Sequence, residues 1–169
     1  MYPSQTIDWA SRKVTLTWIK LKDGSDLDKF QPITQAYGLC FNDKKEILIL
    51  NQKENNEWTL PGGTIEAGES PIVTLTREVL EEADVTLKNI SVLGVQRVDD
   101  PQNPGPKGKL HFQARFIAKV DQMQPQTIDP AKGRIHERKF VPLSTINKYI
   151  HWGNTGEAIF NDAAMEFKD

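Results

Sequence analysis

With one cysteine, Cys40, in 169 residues, the chain can form no internal disulfide, and the position of Cys40 inside an apolar strand pattern reads as a buried, inert thiol. There is no run of about 20 apolar residues such as a membrane span requires, and the start, MYPSQTIDWASRK, lacks the apolar stretch of a signal peptide. The expectation is a cytoplasmic protein with no membrane partner. Charge of either sign is not in surplus: 21 Lys and Arg against 23 Asp and Glu leave a net charge of −2. That balance supplies no general attraction to a polyanion, so a long nucleic acid is not an expected partner. Repeats, low-complexity tracts and linkers long enough to separate domains are also missing. What is present, 38% hydrophobic and 26% charged residues, suits one globular unit with an adequate core.

Period-two alternation marks the strands. From Lys13 to Leu21, Val14, Leu16 and Trp18 fall on one side and Thr15, Thr17 and Ile19 on the other. This strand could also add to a neighbour's sheet, which makes a homodimer possible. Gln35 to Phe41 and Glu46 to Leu50 read as two strands joined by the polar turn Asn42-Asp43-Lys44-Lys45, and a further strand lies around Ser91 to Val98. Leu110 to Val120 places Leu110, Phe112, Ala114, Phe116 and Ala118 on one side and His111, Gln113 and Arg115 on the other. Between them, DDPQNPGPKGK (Asp99 to Lys109) is too rich in Pro and Gly for regular structure. Near the end, Ile159, Phe160, Ala163, Ala164 and Phe167 form a helical apolar stripe suited to core packing.

The densest chemistry lies in GTIEAGESPIVTLTREVLEEADV, Gly63 to Val85. Ser70 is a good N-cap and Pro71 suits the first helical position, which predicts a helix from about Pro71 to Ala83. Helical periodicity gathers Glu78, Glu81 and Glu82 on one side and sets Ile72, Val73, Thr76, Val79, Leu80 and Ala83 on the other, expected to face the core. Like charges so close cost a few tenths of a kcal/mol each, and their place in the last helical turn adds roughly 0.3 to 1 kcal/mol apiece. A positive partner is therefore missing from the sequence, and carboxylates with this spacing suit Mg²⁺ or Mn²⁺. The alternative is a solvated acidic face with Arg77 paired to Glu81. Ahead of the helix, Trp58-Thr59-Leu60 is a short apolar strand stopped by Pro61, and Gly62-Gly63 lets backbone approach a ligand. Gly68 permits a second bend.

Gly63, Glu69, Arg77, Glu78, Glu81 and Glu82 together resemble the Nudix box, G-x5-E-x7-R-E-U-x-E-E-x-G-U with U apolar, except that Asp84 replaces the last glycine. The resemblance spans about Gln35 to the C-terminus. It implies an α/β Nudix fold, an α/β/α sandwich with a mixed sheet. It divides the chain into an N-terminal extension with one strand (1–33) and a hydrolase domain (34–169). It also implies metal-dependent hydrolysis of a pyrophosphate in a nucleoside diphosphate linked to another moiety. Glu78, Glu81 and Glu82, with the Gly63 carbonyl, would hold the ion, and Arg77 would pair with Glu69. Glu137, in HERKF before the last expected strand, is an added candidate ligand or base. Phe140-Val141-Pro142-Leu143 resembles a segment common after that strand.

Arg97, His111, Gln113 and Arg115 are candidates for contacts to the substrate, and each is also readable as an ordinary exposed polar residue. Trp58 is a candidate for stacking on a base or for the core. Pro101, 16 residues after Val85, has a spacing that resembles ADP-ribose pyrophosphatases, which favours ADP-ribose-like compounds over nucleoside triphosphates. The alternative from another class is a Nudix-fold sensor without catalysis, against which the intact glutamates argue. Asp84 should occupy a left-handed cap at a cost glycine avoids, so Asp84→Gly is expected to raise the melting temperature.

Overall fold

In the central strands apolar residues occupy both faces, so the sheet must be covered on both sides. The computed structural model describes residues 1–52, 57–105 and 108–167. Pro106 and Lys107, in the irregular segment expected from Asp99 to Lys109, lie outside them. Nine strands among the described residues form one sheet: β1 (Ser4–Trp9), β2 (Arg12–Lys20), β3 (Ile33–Phe41), β4 (Glu46–Gln52), β5 (Glu57–Thr59), β6 (Gly62–Thr64), β7 (Val85–Asp99), β8 (Leu110–Met123) and β9 (Glu137–Pro142). Their order is β1-β2-β7-β8-β3-β4-β5, with β6 beside β3 and β9 beside β4. β3 and β8 run parallel and the other pairs antiparallel, which gives the mixed sheet.

Helix α1 (Pro71–Ala83) covers one face, where Leu75, Val79 and Ala83 pack with Ala36, Cys40, Leu48, Leu50 and Phe116. Helix α2 (Gly153–Glu166) covers the other, where Ile159, Phe160 and Ala163 meet Trp18, Leu39, Phe41, Ile47 and Ile49. This is the α/β/α arrangement. Neither helix is long and apolar enough to cross a membrane among the described residues. Cys40 is fully buried, and burial pushes its thiol up to about 12.

Three sequence expectations change. The core face of α1 is Thr74, Leu75, Val79, Glu82 and Ala83, whereas Ile72, Val73 and Leu80 are exposed and Thr76 also faces solvent. The helix is thus turned so that one glutamate is carried inward with the apolar stripe. Residues 1–33 hold two strands, β1 as well as β2; β1, SQTIDW, escaped notice because most of its positions are exposed and it lacks an apolar face. Finally, β2 lies between β1 and β7 with both edges paired, so it cannot add to a neighbour's sheet.

The end of α1 reverses another expectation. Asp84 is left-handed, with φ 51° and ψ 46°, and its amide donates to Leu80 O. Its buried carboxylate, however, accepts from both the amide and the hydroxyl of Thr127, each at 2.7 Å. Glycine would relieve about 1 kcal/mol of left-handed strain but lose two hydrogen bonds to a charged group, worth about 1.5 to 3 kcal/mol apiece. Asp84→Gly is therefore expected to lower the melting temperature, by roughly 4 to 20 °C for a chain of this size. A thermal melt showing an equal or higher midpoint would mean the Thr127 contacts contribute little.

Candidate active site

Strands β3 and β4 pair at Phe41 and Ile47, after which β4 turns to β5, and β6 pairs β3 from Gln35 to Tyr37. The Pro61-Gly62-Gly63 segment consequently lies against α1. A Cβ on Gly63 would meet Glu78 Oε1 at 2.5 Å, and the Gly62 amide donates to Glu82 Oε2 at 3.1 Å. Two glycines thus let backbone touch two carboxylates of the helix directly.

Ser70 caps α1 by accepting from the Val73 amide, and the next anchor is Glu69. Arg77 donates to it through Nε (2.7 Å) and Nη2 (3.0 Å), a forked pair that ties loop to helix. Thr74 adds a hydrogen bond at 2.6 Å, and these donors hold the Glu69 carboxyl down to about 2. Nη1 of Arg77 reaches Glu78 at 3.0 Å and Glu81 at 3.2 Å, so the pairing implied by the resemblance and the i, i+4 pairing of an acidic helix face are both present.

Glu82 is different. It is buried, its hydrogen bond from a protein donor comes from Gly62, and burial, followed by the charges of Glu78 and Asp129, pushes its carboxyl up to about 8. Glu78 is shifted upward as well, chiefly by burial. Both shifts describe carboxylates whose charged form burial disfavours.

Beside Glu82 stand Asp129 and His136, which the sequence reading missed; one ligand atom from each of the three lies within 4.8 Å of the others. Asp129 Oδ1 accepts from the Ala131 and Lys132 amides, and Oδ2 lies 2.7 Å from His136 Nε2. His136 is buried, and its Nδ1 has no partner among the described residues. The signal was one residue away from the one chosen. Glu137 begins β9 instead of preceding it, and its carboxylate accepts from Asn51 Nδ2 at 2.9 Å, away from the cluster. Strand alternation sends neighbours to opposite faces: Arg138 turns toward α1, donating to Ala83 O, while Lys139 lies over the rings of Trp58 and Tyr149. His136, not Glu137, is on the carboxylate side.

On the face covered by α2 a cavity of about 780 Å³ opens, and none of the residues of the cluster lines it. Tyr37 connects the two, since it lines the cavity and feels the charges of Glu78 and Glu82. Among the candidate substrate contacts, His111, Gln113 and Arg115 all line this cavity, and His111 and Arg115 are buried instead of exposed. Arg97 does not. It projects from the other side of β7 and pairs with Asp99 at 2.9 Å. Trp58 lines the cavity edge-to-face with Tyr149, whereas Pro101 is exposed and does not line it.

Comparison with known proteins agrees with this geometry. A family model described as the NUDIX domain matches residues 32–160. The chain is 38% identical over 52 residues to an RNA pyrophosphohydrolase of Ruthia magnifica, covering 31% of this chain and 29% of that protein. It is 33% identical over 86 residues to an 8-oxo-dGDP phosphatase of Danio rerio, covering 45% and 26%. The matched stretches therefore span less than a third of either relative. In fold, the chain resembles a Bacillus subtilis pyrophosphohydrolase with a TM-score of 0.64 at 17% identity, over 96% of each chain. Since the family match takes in most of the chain, including the glycine loop and α1, the chain belongs to the Nudix family.

Proposed function

We propose that this chain is a divalent-metal-dependent pyrophosphohydrolase that cleaves a pyrophosphate in a nucleoside diphosphate linked to another moiety. One observation carries the reading: Glu82, buried and fixed by the Gly62 amide, lies with Asp129 and His136 so that one ligand atom of each is within 4.8 Å of the others, on the helix that also carries Glu78 and Glu81. The donor set is all oxygen apart from His136, which suits Mg²⁺ or Mn²⁺. Glu78, Glu81, Glu82 and the Gly63 carbonyl would hold the ion. When bound, it would neutralise phosphate charge and lower the pKa of the attacking water.

The chain's own groups do the positioning. The Gly62 amide fixes Glu82, and Arg77 keeps Glu78 and Glu81 close to each other before the ion arrives. The Glu69 pair fixes Arg77, and with it the loop that carries Gly63. His111, Gln113 and Arg115 bind the rest of the substrate from the cavity. Because Pro101 lies outside that cavity, it gives ADP-ribose-like substrates no advantage, and the groups lining the cavity decide among nucleotides.

The test is a hydrolysis panel with Mg²⁺ or Mn²⁺: ADP-ribose, nucleotide sugars, dinucleoside polyphosphates, and normal and oxidised nucleoside triphosphates. At least one member should be cleaved between phosphates, and EDTA should abolish the reaction. Tight binding of a member without turnover would replace the enzyme by the sensor.

A further inference from the structure

The cavity on the face covered by α2 has an unusual polarity. Arg115 lies at its wall, 3% exposed, between the rings of Tyr37 (4.6 Å) and Trp152 (5.6 Å). Among the described residues no carboxylate pairs with it. A buried cation without a counter-charge is costly unless a ligand supplies one or supplies acceptors. Burial lowers its pKa to about 10, so it stays protonated at neutral pH.

Because an arginine can only donate, it fixes the orientation of every amide it touches. Its Nη2 donates to Gln113 Oε1 at 2.8 Å and to Gln96 Oε1 at 3.1 Å. Gln113 must then present its nitrogen, which donates to Gln35 Oε1 at 2.7 Å, and the Gln35 nitrogen donates to the Tyr37 hydroxyl at 2.9 Å. Each amide oxygen in the network already accepts one of these bonds. What remains for a ligand is a pair of donors on residues that line the cavity, the Tyr37 O–H and the Gln96 amide nitrogen. Of the carboxylates lining the cavity, Asp100 is already taken by a forked pair from Arg12 at 3.0 and 3.1 Å, and Glu57 is exposed.

We propose that this donor-only network, walled by the N-terminal hairpin, is a nucleobase subsite that selects a 6-oxopurine, guanine or hypoxanthine, over adenine. The proposal rests on the reading of the chain as a nucleotide pyrophosphohydrolase and names the base it takes. A 6-oxopurine offers O6 and N7, two acceptors on one edge, to these two donors, whereas adenine replaces O6 with an amino donor and a pyrimidine lacks N7. Tyr37, Trp58 and Trp152 supply aromatic surface for a planar ring. Residues 1–33 belong functionally to the same unit: Ile7, Val14 and Leu16 line the cavity opposite β8, and Gln5 Nε2 holds Trp152 O at 2.7 Å.

The test measures binding without turnover. In EDTA, quenching of tryptophan fluorescence by GMP, IMP, AMP and CMP should give GMP and IMP at least tenfold tighter than AMP and CMP. Gln96→Glu, which gives Arg115 a carboxylate and removes a donor, should bring that ratio below about threefold, a free-energy difference of about 0.65 kcal/mol. Arg115→Gln should do the same, and Gln96→Glu decides if that variant does not fold. AMP or CMP binding as tightly as GMP, no binding of any of the four, or an unchanged ratio in folded Gln96→Glu would each overturn the proposal. Preference for GMP with no hydrolysis of any panel member would overturn the enzymatic reading alone.

Discussion

Replacing Glu82 by Gln is expected to reduce turnover by roughly 10²- to 10³-fold, the scale seen when one preorganised electrostatic group is removed from an active site, while making the metal-free protein more stable. The two effects have one cause. Glu82 is buried, and its carboxyl is pushed up to about 8 by that burial and by Glu78 and Asp129, so the ionised form a metal requires is one the empty fold disfavours. In the unfolded chain a glutamate titrates near its ordinary value of about 4.3. Below that pH both states are protonated and Glu82 costs nothing. As the pH rises toward 8 the unfolded state releases its proton while the native state keeps it, so stability falls across that window and levels off above it. A glutamine in its place would lack the penalty. Melts in EDTA should therefore coincide for the two proteins near pH 4 and separate, in favour of the variant, by about 2 to 4 kcal/mol at pH 8. Saturating Mg²⁺ should stabilise the wild type much more than the variant. Full activity of Glu82→Gln, or a gap independent of pH, would remove Glu82 from the ligand set.

The elements and the glutamates were legible for a local reason. Ser70, Pro71 and the run of glutamates act within one helix, so capping and periodicity suffice to place them, and the observed Pro71–Ala83 matches the expected boundaries. The rotation of that helix was not legible, because Leu80 and Ile72 are as apolar as Leu75, and the docking of α1 on β3 decides which is buried. Asp84 looked like a strained substitute for glycine because its partner, Thr127, is 43 residues away. Asp129 and His136 were hidden in the same way. Their relation to Glu82 exists only once β9 lies beside β4; Glu137, one residue on from His136 and so on the other face, meets Asn51. The cavity face of β8 was legible as a polar stripe, with a substrate contact and an exposed surface both open; its burial was not, since β1, which helps to wall the cavity, has mostly exposed positions.

Gly62→Ala is expected to destabilise the protein by about 3 to 5 kcal/mol, at the upper end for single substitutions, and to reduce activity with it. Gly62 has φ +139°, a region side chains rarely enter, and its backbone runs so close to β3 that a Cβ would lie 2.6 Å from Tyr37 Cα and overlap Ala36 O. The obstacle on that side is backbone in a paired strand, which cannot swing away as a flexible side chain can. To make room, β6 would have to leave β3, and the Gly62 amide that holds Glu82 would leave with it. Gly68→Ala separates strain from crowding. Its φ is +83°, but nothing lies within 4 Å of an added Cβ, so only the conformational cost of about 1 kcal/mol applies. Denaturant melts of the two variants should therefore differ by at least about 2 kcal/mol, with Gly68→Ala keeping most of its hydrolysis. Equal stabilities would show that the glycine loop has room to move, and the close backbone approach to Glu78 and Glu82 would then not be what holds the carboxylates in place.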